Sequence, residues 1–231
     1  MRTRPIVAID GPAGAGKSTV ARRLADALGF VLVDTGAMYR AVALAAEEAS
    51  IAFSDGEGLG ELANRLVCAH ALVFEREPTL GVRVKLSGRD VSDAIRTPAI
   101  AQGASLVSAH PPVRAALLDM QRQAGEQGGV VLEGRDIGTV VFPDAEAKFF
   151  LTASVDTRAR RRHEELVAKG QTITFEETLA DVKQRDAQDE GRKIAPLKQA
   201  DGAIRVDSTE LSLEATVQKM LEVVHSKARA L

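Results

Sequence analysis

The chain has 231 residues, 45% of them hydrophobic, which suffices for a sizeable core in one domain with residues left over for an insertion. Thirty basic residues against 32 acidic ones give a net charge of −2, which speaks against DNA or RNA as a main partner because nucleic-acid binders carry a basic excess. The single cysteine, Cys68, rules out an intrachain disulfide and suits a reducing cytosol. The apolar run before Asp10 is too short for a signal peptide, and no run approaches the roughly 18 apolar residues of a membrane span. A soluble cytoplasmic protein with no membrane partner is expected.

Ile6 to Ile9 is continuously apolar and rich in β-branched residues, the pattern of a strand buried on both faces of a parallel sheet. Gly11, Pro12, Ala13, Gly14, Ala15, Gly16, Lys17 and Ser18 follow and match the phosphate-binding loop pattern, with Thr19 next to them. Val20, Ala21, Leu24 and Leu28 then recur at helical spacing, and Gly29 can end that helix. The glycines let backbone N–H groups turn around phosphate oxygens, and the helix start adds partial positive charge. Lys17 is placed to reach the outer phosphates of ATP, and the Ser18 hydroxyl is placed to bind Mg2+. A glycine-rich turn without a ligand is the plainer alternative, but the strand–loop–helix context argues against it. The motif is silent about the phosphate acceptor.

Further strands are expected at Val31–Asp34, Val130–Glu133, Lys148–Leu151 and Ala203–Asp207, with helices at Ala37–Ala49, Pro112–Gln127, Val155–Lys169, Phe175–Glu190 and Leu213–Ala228. This alternation predicts an α/β fold, a parallel sheet covered by helices on both sides. Between about Leu72 and Val91 the rhythm changes. Val82, Val84 and Leu86 alternate with Arg83, Lys85 and Ser87 after a Pro78–Gly81 turn, which predicts a small antiparallel insert. Arg83, Lys85 and Arg89 read there as strand-face solubility charges. Thr97 and Pro98 then open another helix as N-cap and first residue. Met38 and Met120 fall at apolar helix positions and read as core. The four histidines are scattered, unlike a metal cluster.

A signalling GTPase would need an Asn-Lys-x-Asp guanine reader, yet the one asparagine, Asn64, is followed by arginine. A nucleic-acid-driven motor would be larger and more basic. A small-molecule kinase remains, and three stretches bear on its acceptor. They are DTGAMYR (34–40), EGRDIGTVVFP (133–143) and RDAQD (185–189) with Arg192. Each sets arginine near carboxylate, at the carboxyl end of a strand or on a helix. Strand ends of this kind are where open α/β sheets bind ligands, and arginine forks suit phosphate while carboxylates suit hydroxyl and amino groups.

With these motifs the chain resembles the bacterial cytidylate kinases, P-loop nucleoside monophosphate kinases that use ATP to phosphorylate CMP or dCMP. The likeness runs from the phosphate loop to Arg205-Val-Asp-Ser-Thr, with Thr35 where the family has serine and Glu133 within its Asp-or-Glu range. The resemblance implies a P-loop core over 1–62 and 92–231, an NMP-binding insert at about 63–91 and a helical lid at 155–172. It implies that Thr35, Tyr39 and Arg40 lie in the CMP site, with Arg40 on the phosphate. Ser105 and Arg114 resemble base contacts, Arg135 a phosphate arginine, Asp136 a cytosine reader, and Arg185 with Asp189 a pair at the ribose. Arg158, Arg161 and Arg162 fall in the lid, where they share one helix face as a clamp would need. Each also has a plainer reading. Arg161 with Glu165, like Arg160 with Glu164, has the i,i+4 spacing of a surface ion pair, and so has Arg185 with Asp189. Mg2+ with ATP is the expected cofactor, and a monomer is expected. A kinase of this fold with another small acceptor, and a catalytically silent nucleotide-binding regulator, stay open as alternatives.

Overall fold

The computed structural model describes residues 2–77 and 81–229. Its contacts separate the chain into two units: residues up to 33 together with those from 125 onward, and residues 34–124. In the first unit, β1 (Ile6–Asp10) is buried along its whole length. It lies between β6 (Val130–Gly134) and β7 (Ala147–Thr152) and runs parallel to both. β8 (Ile204–Asp207) continues the sheet parallel to β7, and β2 (Val31–Asp34) borders β6, so the order is β2-β6-β1-β7-β8. Alternate residues explain why the central strand is apolar throughout. Val7 and Ile9, with Val131, Phe149, Leu151 and Val206, belong to the core that also holds α1 (Lys17–Leu28) and α8 (Leu213–Ala228) through Val20, Leu24, Met220 and Val224. Period-two alternation sends Ile6 and Ala8 to the opposite face, where they are equally buried. Helices α6 (Val155–Ala168) and α7 (Phe175–Glu190) pack on each other.

The second unit holds α2 (Thr35–Glu48), α3 (Gly56–Cys68), α4 (Pro98–Val107) and α5 (Pro111–Gly125). It also holds an antiparallel sheet of β3 (Leu72–Glu77), β4 (Gly81–Leu86) and β5 (Arg89–Asp90). α2 packs against α4, and since Ala41 through Ala46 are all buried, α2 is enclosed around its whole circumference there. Thr97 caps α4 through the Ile100 N–H, and Pro98 stands in its first turn.

The expected parallel sheet and antiparallel insert are both present. α2 starts earlier than Ala37, because the Asp34 carboxylate accepts the Ala37 N–H at 3.0 Å and caps the helix. In the insert, Leu72 pairs with Leu86 and Phe74 with Val84. Pro78, Thr79 and Leu80, the expected turn, lie outside the described residues. The insert's basic residues are not lone solubility charges: Arg83 pairs with Asp90, Lys85 with Glu75 and Arg89 with Glu48. Met38 is core at 2% exposure, whereas Met120 is only half-buried. The inward ridge of α5 runs Val113, Leu117, Gln121 at i, i+4, i+8, and Met120 falls beside it.

Candidate active site

The loop leaving β1 is held by close backbone approach. A Cβ on Gly11 would stand 2.0 Å from the Leu151 carbonyl oxygen on β7, so only glycine lets the loop start there. Gly16, at φ 85 in the left-handed region, turns the chain into α1. Lys17 is buried at 7% exposure, and its Nζ donates to the Pro12 carbonyl at 2.7 Å. Burial pushes its ammonium pKa down to about 7, with Arg135 adding repulsion and Glu133, Asp189 and Asp10 opposing it. The Ser18 hydroxyl donates to Glu133 Oε2 at 3.0 Å. The register pairs Ile9 with Glu133, which explains how this carboxylate reaches the loop. A hydroxyl beside a carboxylate is an oxygen-only donor set, and it fits a hard cation that keeps most of its waters, as Mg2+ does.

After β6, Arg135 and Asp136 lead into a π-helical turn, Ile137–Val141. Asp10, at the end of β1, holds that turn. Its two carboxylate oxygens accept the Ile137 and Gly138 N–H groups, each at 2.8 Å. Burial raises the Asp10 pKa to about 6 against these bonds, Asp136 raises it further, and Lys17 lowers it. Arg135 Nε donates to Asp189 at 2.6 Å, and Arg192 donates to the other oxygen of Asp189. Burial works against the Arg135 charge, but Asp189 outweighs it and the pKa is raised. Asp189 is held low by Arg135 and Arg192 against its own burial. Asp136 is buried at 5% exposure at the start of the π turn.

Arg185 does not pair with Asp189. Its Nε donates to Asp181 at 3.2 Å, because Arg135 and Arg192 already occupy Asp189. Burial lowers the Arg185 pKa, and Arg162 and Arg135 push it down further. Lys17, Arg135, Arg162 and Arg185 are thus linked through mutual repulsion in one neighbourhood. The three α6 arginines go separate ways. Arg158 is buried at 4% exposure, while Arg161 donates to Ser208 Oγ and to the Ser208 carbonyl at 3.0 and 2.7 Å. Arg162 pairs with Glu165 at 3.0 Å. The Arg161–Glu165 surface pair is therefore absent, and Glu165 takes Arg162 and Lys169 instead.

In the second unit, Asp34 Oδ2 accepts from Arg40 Nη2 at 2.7 Å, while Arg40 Nε is buried without a hydrogen-bond partner among the described residues. Thr35 is buried in the first turn of α2. Tyr39 is buried at 9% exposure, and the Arg114 guanidinium lies over its ring at 5.6 Å. Arg114 Nη1 also donates to the Ser108 carbonyl at 3.2 Å, and the Ser105 carbonyl accepts the Ser108 hydroxyl at 3.0 Å. Sequence reasoning did not single out Asp10 as a site residue, and it flagged the stretches holding Glu133, Asp186 and Arg192 without assigning those residues a role. For Asp10 a signal exists: a carboxylate that closes an otherwise apolar buried strand needs a partner at the strand's end.

A family profile described as cytidylate kinase matches residues 7–226. A cytidylate kinase from Geobacter sp. (strain M21) is 55% identical over 222 residues, spanning 96% of this chain and 93% of its own. A cytidylate kinase from Bacillus subtilis (strain 168) is 43% identical over 229 residues, spanning 99% of this chain and 100% of its own. The crystal structure of an uncharacterised protein from Eubacterium ventriosum superposes with a TM-score of 0.51 at 14% identity, covering 96% and 99% of the two chains, a likeness of fold. Among the described residues, no helix is long and apolar enough to cross a membrane.

Proposed function

Because this chain belongs to the cytidylate kinase family, we propose that it transfers the γ-phosphate of ATP to CMP or dCMP, giving ADP and CDP or dCDP. The observation that carries the reading is the gathering of cations around the loop after β1: Lys17 is buried there, Arg135 repels it, and Arg162 and Arg135 repel Arg185. Phosphates of donor and acceptor would add negative charge among these cations, so the site favours polyanions before any base is read.

The CMP phosphate oxygen is already a competent nucleophile, so no residue needs to act as general base. Alignment and charge neutralisation carry the reaction. Residues 11–19 cradle the triphosphate, with Lys17 leaving the Pro12 carbonyl for the outer phosphates. Ser18 would hold Mg2+, with Glu133 accepting from a water on the ion; bound Mg2+ neutralises charge on the donor phosphates. Arg40, through its spare Nε, and Arg135 neutralise the acceptor phosphate. Ser105, Arg114 and Asp136 read the base, Thr35 and Tyr39 line its site, and Arg185 with Asp189 hold the ribose. Arg161 and Arg162 are the lid cations, and closure of 155–172 excludes water that would hydrolyse ATP. Residues 63–91 form the NMP-binding insert on a core of 1–62 and 92–231. The protein works as a cytoplasmic monomer with neither nucleic acid nor membrane as partner, in keeping with its net charge of −2.

A panel of nucleoside monophosphates tests the reading. An ionised Asp136 only accepts hydrogen bonds and therefore suits the cytosine amino group, not the uracil carbonyl. With a mispaired buried polar group costing about 1–3 kcal/mol, wild-type kcat/KM for CMP should exceed that for UMP by roughly a hundredfold or more. Asp136→Ala should shrink the ratio mainly by harming CMP. Equal use of CMP and UMP by the wild type, or equal losses on both in the variant, would sink the assignment.

A further inference from the structure

Arg158 directs its whole guanidinium to partners inside the protein. All three of its guanidinium nitrogens are engaged: Nε with the Ala153 carbonyl at 3.0 Å, Nη1 with the Ala13 carbonyl at 2.9 Å and Asp186 Oδ1 at 3.0 Å, and Nη2 with Asp186 Oδ2 at 2.6 Å. The pair with Asp186 is the planar two-oxygen fork that only arginine makes. Ala13 belongs to the phosphate loop, Ala153 precedes α6, and Asp186 lies on α7. One side chain thus joins three segments of the same unit.

The bond to Ala13 bears on the loop's shape. In a trans peptide the C=O and the next N–H point in opposite directions. An Ala13 carbonyl turned toward the Arg158 guanidinium therefore turns the Gly14 N–H away from it. The Pro12 carbonyl, one residue earlier, faces the Lys17 amine instead, so the loop alternates between a carbonyl fixed by Lys17 and one fixed by Arg158. Gly14 is also wedged against this point: a Cβ there would stand 2.8 Å from the Arg158 carbonyl oxygen. Behind the loop, Pro12, Arg158 and Asp186 border a cavity of about 290 Å³ with Phe150, Leu197 and Arg205.

We propose that Arg158 is a positioning residue of the phosphate loop, locked by Asp186, rather than a lid arginine that swings onto the transferred phosphoryl group. It sets the Ala13–Gly14 peptide for the triphosphate, and it makes the donor loop depend on α7. That helix also carries Asp189, which holds Arg135. Asp186 and Asp189 stand at i and i+3 on one face, so the donor loop and an acceptor-side arginine hang from the same helical turn.

The proposal rests on the kinase reading above, but its readout does not need transfer to CMP. Equilibrium binding of ATP and, separately, of CMP is measured for the wild type, Arg158→Met, Arg158→Lys and Asp186→Asn. The titrations run well below each variant's unfolding midpoint, so that only folded protein is read. Arg158→Met should weaken ATP binding tenfold or more and CMP binding by less than threefold. Arg158→Lys, which can reach one partner but not form the fork, should fall between Arg158→Met and the wild type. Asp186→Asn should weaken ATP in the same direction although its hydrogen bonds go to Arg158 and not to the loop, and its effect should largely vanish when combined with Arg158→Met. Unchanged ATP affinity with a collapsed kcat would make Arg158 a catalytic lid arginine and overturn the proposal. Equal weakening of ATP and CMP in every variant would reduce the cluster to a fold support and overturn it as well. Wild-type protein that binds ATP but phosphorylates no pyrimidine nucleotide would instead count against the kinase reading alone.

Discussion

The carboxylate of Asp10 sits where two demands conflict. It must stay ionised to accept both N–H groups of the π turn, yet it is 2% exposed and its pKa is raised to about 6 from 3.8. With the native value above the unfolded one, the folded protein binds more protons between about pH 4 and 6. The group's contribution to stability therefore falls as pH rises through that window. Going from pH 7.5 to 5.0 should return about 1–2 kcal/mol at this site. Urea unfolding of the wild type and Asp10→Asn at both values isolates it: the gap should move by about that amount in favour of the wild type at pH 5.0. A gap that does not move with pH would mean an ordinary carboxylate. Lys17 poses the reverse case, a cation held in a place that disfavours its charge. Lys17→Ala should keep the fold, since Nζ donates only to a neighbouring loop carbonyl, and should lower kcat by several orders of magnitude, on the order of 10³. Retention of more than about a tenth of wild-type turnover would remove Lys17 from the donor site.

Among the elements, α7 shows both what local sequence specifies and where it stops. Its start is written in Thr174-x-x-Glu177: the threonine side chain accepts the Glu177 N–H, and the glutamate accepts the Thr174 N–H at 2.8 Å. Thr174→Ala should lower the unfolding free energy by about 1 kcal/mol in urea titrations; a change below a few tenths would show that α7 is set by packing alone. The partners of Arg185 were not legible, because carboxylates stand both at i−4 (Asp181) and at i+4 (Asp189) and helical spacing cannot choose between them. The choice is made by Arg135, 54 residues away in sequence, which takes Asp189. α3 escaped notice because Gly56, Gly58 and Gly60 are poor helix formers, although a Cβ on Gly60 would stand 2.4 Å from Pro112 Cβ, so its absence permits close packing. The π turn at 137–141 was equally hidden, since Asp10, 127 residues upstream, supplies its acceptors. The phosphate loop was legible for the opposite reason: its glycines, lysine and serine lie in one run.

For the whole molecule, the arrangement of the larger sheet has a consequence for the order in which the protein is made. β1 precedes the other strands of its sheet in the chain, yet both of its neighbours, β6 and β7, come more than a hundred residues later. Residues 34–124 form a contiguous unit with contacts of their own, and chains of local contacts form early while non-local strand pairing waits. During translation, then, α2 through α5 and the small sheet can settle while β1, from which the glycine-rich loop departs, still has no strand on either side. The loop after β1 takes its shape late and at once, when β7 emerges and the Leu151 carbonyl reaches Gly11. Trypsin applied to ribosome-stalled chains of increasing length should show this as two steps. Sites within 34–124 should become resistant first, and cleavage after Arg22 and Arg23 in α1 should persist until residue 152 has left the ribosome. Protection of both regions at a single chain length would show that the second unit cannot fold before the sheet closes.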